Sequence, residues 1–215
     1  MKKVVKFGGS SLASAKQFEK VGAIIKADPE RKFVVPSAPG KRDANDTKVT
    51  DMLYATYAYA EQGNDFSKAL KAIEARYQEI IDGLGLELSL DKEFETIKEN
   101  FANQIGSDYA ASRGEYLNGI IMANYLGYEF VDPANHVFFD EDATYGKSWG
   151  MAKYMKESKK ELIIVGVECN HEGNRRLVEY SPLNYTNSEH GTIKGKGSIT
   201  MNWLIRTLKP YIDAN

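Results

Sequence analysis

The sequence predicts an α/β fold built on a mostly parallel central sheet. Short Val-, Ile- and Phe-rich runs alternate with longer helical runs, and the short runs are continuous enough in apolar residues to be buried on both faces. Turn residues or charge close each run. The strand candidates are Val4 to Phe7, Phe33 to Ser37, Glu129 to Asp132 and Leu162 to Val167.

The elements follow in order. Ser14 with Gln17 three places on forms a capping-box pattern, so a first helix starts there and runs to about Ala27, ahead of Pro29. Thr50 is placed to cap a helix beginning near Asp51. Phe66, Leu70, Ile73, Tyr77, Ile80 and Ile81 recur at helical spacing, and Phe94, Ile97, Phe101 and Ile105 do so again after Asp91. Two consecutive helices with no strand between them read as a helical insertion over residues 64–106, packed on one edge of the sheet and able to act as a lid. Ser112 caps a further helix that Gly127 ends, and a last helix is expected from Thr200 to Leu208, before Pro210. The stretches Pro39 to Lys48 and Cys169 to Gly197 read as irregular.

Composition narrows the function classes. With 215 residues, 42% of them hydrophobic, the chain can bury one sizeable core, so a single domain over 1–215 is expected. Lys and Arg number 28 against 30 Asp and Glu, a net charge of −2, which is no footprint for a nucleic-acid partner. No run reaches the roughly 18 apolar residues of a membrane span. The start MKKVVKFGG has no apolar signal run, so the expected location is cytoplasmic. The single cysteine, Cys169, excludes an internal disulfide, and Cys169, His171, Glu172 and His190 match no metal-ligand spacing, so no protein-held metal is expected.

Four local patterns can carry chemistry. In V-V-K-F-G-G-S-S a strand delivers Lys6 and two glycines toward a helix amino terminus, where close backbone N–H groups and the helix dipole favour an anion such as phosphate. An ordinary tight turn is the plain alternative. V-P-S-A-P-G-K repeats the arrangement at Ser37, and ligands of parallel sheets sit beyond the carboxyl ends of strands, so the two loops should share a crevice. In D-T-K-V-T-D the Thr50 hydroxyl can cap a helix and also meet a carboxylate. In A-S-R-G-E-Y-L-N-G, Arg113 and Glu115 flank Gly114 and offer opposed charges to a ligand with both an amine and a carboxylate. A capping box is the plain alternative there.

In this order and at these separations the four motifs resemble the aspartate kinases of the amino acid kinase family over roughly residues 1–145. The resemblance implies a three-layer sandwich around the parallel sheet. It implies that Lys6 is a catalytic lysine, that Gly8, Gly9 and Ser10 belong to a phosphate cradle, and that Ser37, Thr50 and Glu115 bind the substrate, where the opposed charges of the motif add Arg113. The reaction implied is ATP-dependent phosphorylation of the aspartate side-chain carboxylate, with ATP and Mg²⁺ as cofactors, in amino-acid and lysine biosynthesis, and a homo-oligomer as the expected assembly. The second glycine motif of those kinases finds its nearest match in Gly195, Lys196, Gly197 and Ser198, with Ser198 where the relatives carry aspartate. A shortened site lacking the carboxyl-terminal nucleotide part and any regulatory domain is expected, and its rival reading is a non-catalytic amino-acid-binding or interaction module.

Overall fold

The computed structural model describes residues 3–132 and 160–164, together with the backbone of 168–171, 174–177, 185–187 and 191–193. Four strands form the sheet: β1 (Lys3–Phe7), β2 (Arg31–Pro36), β3 (Glu129–Val131) and β4 (Leu162–Ile164). Their order is β1-β2-β4-β3, and every neighbouring pair is parallel. Phe33, Val34, Val35 and all of β4 are buried, which is why these segments read as continuous apolar runs. The strands begin and end within two residues of the sequence expectation; Val165 to Val167 of the fourth lie outside the described residues.

Between the strands lie α1 (Ala15–Lys26), α2 (Val49–Glu61), α3 (Ser67–Gly83), α4 (Asp91–Ala102) and α5 (Ser107–Leu126). The step from β1 to β2 and the step from β2 past β4 to β3 run the same way across the sheet, so right-handed crossovers put α1 and α5 on one face. Phe18 of α1 accordingly meets Tyr125 of α5 edge-on, with ring centroids 6.5 Å apart. The expected helix Thr200 to Leu208 lies outside the described residues.

α5 is the central element. It packs on β2, β3 and β4 with one side and on α2, α3 and α4 with the other. A helix covered on both sides cannot be amphipathic, and its buried residues run round the whole cylinder, from Tyr109 and Ala110 through Gly114, Leu117 and Asn118 to Ile121 and Met122. This corrects the expected start at Ser112. The helix begins five residues earlier, after Gly106, whose φ of 129° makes a break that a side chain would disfavour. Ser112 therefore sits in the helix interior, and its hydroxyl donates to the Tyr109 carbonyl at 2.7 Å.

The insertion over 64–106 is present as α3 and α4, but not at an edge of the sheet. α3 packs on α1, α2 and α5, and α4 packs on α2 and α5, so the pair covers the helix layer. Phe101 of α4 is fully buried among Tyr57, Phe66 and Tyr109, with ring centroids 5.4, 6.0 and 6.4 Å away. An element holding that much of the core is not a detachable lid.

The first helix starts after Ser14 as expected, but Ser14 makes no side-chain cap bond, and Gln17 instead donates to the Ser10 carbonyl at 3.3 Å. In the segment expected to be irregular, Glu168–His171 pairs antiparallel with Asn174–Leu177, and Tyr185–Asn187 with Gly191–Ile193. Both pairs are joined by connections of two or three residues, short enough for tight hairpins, a signal the residue types there disguise.

Because α4 belongs to the core, Phe101→Ala should cost about 3–5 kcal/mol of stability, measured by urea unfolding. A loss confined to local exchange in α4, with the global midpoint unchanged, would show the insertion to be separable.

Candidate active site

The two glycine loops leave neighbouring parallel strands at the same end of the sheet. After β1, Gly8 is extended and Gly9–Leu12 makes a 3-10 turn, with the Ser11 amide on the Gly8 carbonyl at 3.0 Å. After β2, the Ser37 amide donates to the Phe7 carbonyl at 3.0 Å, which carries the ladder one residue past the strand. The Gly40 amide then donates to the Gly9 carbonyl at 2.8 Å. The loops touch backbone to backbone: a Cβ on Gly40 would lie 2.6 Å from the Gly9 carbonyl carbon, and one on Gly9 would lie 2.7 Å from the Ala38 oxygen. Gly8 differs, since a Cβ there meets nothing within 4 Å. Lys6, Gly8 and Ser10 are exposed, and the backbone of Lys6 is held in the sheet opposite Val35.

α5 holds the second loop from beneath. Oε1 of Glu115, a side chain 1% exposed, accepts the Ala38 amide at 3.1 Å. Nδ2 of Asn118, one turn on, donates to the Ser37 carbonyl at 2.6 Å. That amide and that carbonyl belong to the same peptide group, so two side chains at helical spacing grip both poles of the Ser37–Ala38 peptide and fix its plane. Gly114 lets α5 come close enough: a Cβ on it would lie 2.7 Å from Ala38 Cβ and 3.7 Å from the Thr50 hydroxyl oxygen. The Gly114 carbonyl accepts the hydroxyl of fully buried Tyr77 at 2.8 Å, and burial pushes that phenol well above its ordinary pKa.

The structure thus brings Ser37, Thr50 and Glu115 around one point beside the Gly9 and Gly40 loops. Thr50 is not the cap of α2. The helix starts at Val49, whose amide donates to the Pro39 carbonyl at 3.1 Å, and Lys48 takes the cap position. The returning loop does what a capping side chain would have done. Arg113 leaves α5 two residues before Glu115 and so on a different side. Its guanidinium lies over the rings of Tyr109 and Tyr116 at 4.5 and 4.6 Å, within reach of a cation–π contact, and donates to the Ser112 hydroxyl. Gly195, Lys196, Gly197 and Ser198 lie outside the described residues.

Residues 1–179 match the amino acid kinase family. Aspartokinase 3 of Bacillus subtilis (strain 168) is 38% identical in an alignment 171 positions long that covers 74% of this chain and 37% of that protein. This chain belongs to the amino acid kinase family. The crystal structure of the Clostridium acetobutylicum aspartate kinase superposes with a TM-score of 0.73 at 42% identity, over 82% of this chain and 42% of that one. The Escherichia coli aspartokinase III, solved with aspartate and ADP, shares the fold at a TM-score of 0.60 and 20% identity, over 81% of this chain and 42% of that one. The chain spans about two fifths of the length of these relatives.

Within this amino acid kinase fold, two site residues escaped the sequence reading. Asn118 follows Glu115 by one helical turn, so its spacing pointed to the same face. Arg76 sits on the apolar stripe of α3 between Ile73 and Ile80, and a charge on such a stripe is the available signal. It is buried, and its Nη2 donates to the Gly40 carbonyl and to Asp46, each at 3.0 Å. Arg42 adds three hydrogen bonds to Asp46 and one to Glu79. Chiefly the Arg42 hydrogen bonds, with the Arg76 charge behind them, hold the Asp46 carboxyl well below the usual carboxylate range.

Two outcomes follow. Gly9→Ala and Gly40→Ala should each destabilise the fold by about 1–3 kcal/mol through backbone overlap, while Gly8→Ala should stay within about 0.5 kcal/mol, read by urea midpoints. The depressed Asp46 carboxyl contributes stability that is fully present above its ordinary value of 3.8 and is lost as pH falls below it. The acid-side slope of stability against pH should therefore be shallower in Asp46→Asn than in the parent chain.

Proposed function

We propose that this chain is the acceptor-holding part of an aspartate kinase, transferring the γ-phosphoryl group of ATP to the side-chain carboxylate of aspartate. The observation that carries the reading is the meeting of the Lys6–Gly8–Gly9 loop with Ser37, Thr50 and Glu115 at one end of the sheet, in a chain 42% identical to a solved aspartate kinase.

The chemistry asks little of acid–base groups. The acceptor carboxylate is ionised at neutral pH and needs no base to become a nucleophile. One of its oxygens attacks the γ-phosphorus in line, the bond to the ADP oxygen breaks, and aspartyl phosphate and ADP result. What the protein supplies is position and neutralisation of phosphate charge. Lys6 is proposed as the catalytic lysine that meets the transferring phosphoryl oxygens. Gly8, with open space where a Cβ would stand, lets phosphate approach the backbone, and Gly9 and Ser10 complete the cradle. Ser37 and Thr50 are proposed to bind the acceptor, with the buried Glu115 carboxylate attracting its ammonium group; Arg113, over the rings of Tyr109 and Tyr116 on another side of α5, is not assigned to that contact. Gly195, Lys196, Gly197 and Ser198 are proposed as further phosphate-binding residues.

Magnesium is proposed to arrive with the nucleotide. Among the described residues no group of acidic, histidine or cysteine side chains could hold a metal. No helix among the described residues is long and apolar enough to cross a membrane. A cytoplasmic homo-oligomer working in amino-acid, and specifically lysine, biosynthesis completes the proposal.

The test is a hydroxylamine trap. Protein incubated with ATP, Mg²⁺ and aspartate should yield aspartyl hydroxamate, and Lys6→Met should lower the rate about a hundredfold or more without moving the thermal midpoint, because Lys6 is exposed. Gly8→Ala should also lower the rate while leaving stability intact. Absence of hydroxamate together with aspartate binding but no ATP binding would turn the reading to an amino-acid-binding module.

A further inference from the structure

We propose that Arg76 is a positioning residue: from the helical insertion it anchors Gly40, and through Gly40 it sets the position of Gly9 in the phosphate loop. The phosphate role of that loop rests on the function proposed above; the anchoring does not.

The path is short and made of backbone groups. Arg76 Nη2 donates to the Gly40 carbonyl at 3.0 Å, and the Gly40 amide donates to the Gly9 carbonyl at 2.8 Å. Both poles of Gly40 are thereby used, one toward α3 and one toward the first loop. No Cβ fits at either glycine, so the loops cannot separate without losing contact along the backbone itself. Asp46 accepts the same Nη2 at 3.0 Å and closes the far end of the loop onto the same guanidinium. Arg42 and Glu79 complete a set of two guanidiniums and two carboxylates. The set is neutral, so it suits holding a loop better than capturing a phosphate.

Stability alone does not account for an arginine here. The side chain is 3% exposed, and its Nε and Nη1 find no hydrogen-bond partner among the described residues. A buried ion pair is commonly no better for stability than an apolar side chain of the same volume, and a methionine would continue the stripe of Ile73, Tyr77 and Ile80. Arginine is distinguished by a rigid planar fork that can reach a carbonyl and a carboxylate at once. The insertion, read from sequence as a lid, is thus a brace on the site.

The experiment is amide hydrogen exchange at Gly40 in the whole chain, with the Leu117 and Ile121 amides of α5 reporting global opening, in Arg76→Met, Arg76→Lys, Asp46→Asn and the Arg76→Met/Asp46→Asn pair. Arg76→Met should speed Gly40 exchange about tenfold or more over any change at the α5 amides, with Arg76→Lys between it and the parent. Asp46→Asn should lower the thermal midpoint by taking from the buried Arg76 the nearer of its two carboxylate partners, Glu79 at 3.9 Å being the other. The double variant should regain that midpoint while Gly40 stays fast. In chain that turns over, Arg76→Met should raise KM for ATP more than it lowers kcat. Gly40 exchange that tracks α5 in Arg76→Met, or that recovers with the midpoint in the double variant, overturns the proposal. Should Arg76→Met fail to fold, Arg76→Lys decides: faster Gly40 exchange at an unchanged midpoint supports the brace, and unchanged exchange refutes it. Chain that binds no ATP removes the phosphotransferase reading, and the Gly40 result still settles the anchoring.

Discussion

The contact between Gly9 and Gly40 is the constraint on which the rest of the site depends. Two strand-ending loops approach so closely that one amide bonds the other's carbonyl and neither position tolerates a Cβ. Parallel neighbours β1 and β2 make this possible, because their carboxyl ends leave the sheet side by side. The groups beside it, exposed Lys6, Gly8 and Ser10 on one side and half-buried Ser37 on the other, inherit their placement from that contact.

Around it the helices act as clamps of different chemistry. α5 holds the Ser37–Ala38 peptide with a carboxylate and an amide, one on each pole. α3 holds Gly40 with a guanidinium that it shares with Asp46. The loop from Pro39 to Lys48 has little regular structure, yet it is bonded at Gly40, Arg42 and Asp46 and closes where the Val49 amide meets Pro39. Irregular backbone held in this way is ordered by side chains instead of a ladder.

The burial of Glu115 bears on the proposed reaction. Its carboxylate is 1% exposed and accepts a backbone amide, and in surroundings so poor in water the attraction between a carboxylate and a nearby cation is stronger than at the surface. Under the proposed function the ammonium group of the acceptor would be such a cation.

Much of this was legible in the chain. The four strands, α1, and both helices of the insertion follow from apolar runs and helical spacing, which are local properties; so do the two glycine loops at strand ends. The misreadings are equally physical. Ser112 with Glu115 imitates a capping box, but α5 starts at Ser107, after Gly106, because packing on both its sides extends it past any local cap signal. Thr50 imitates a cap that the Pro39 carbonyl replaces. The bonds that build the site join residues 77, 81 and 36 positions apart, namely Ala38 to Glu115, Ser37 to Asn118 and Gly40 to Arg76. The sequence by itself determined which segments are strands, helices and glycine turns, since those depend on neighbours along the chain. Only the tertiary structure decided what Glu115, Asn118 and Arg76 hold, since a hydrogen bond between distant residues depends on the path of the folded backbone, and no spacing in the sequence encodes that path.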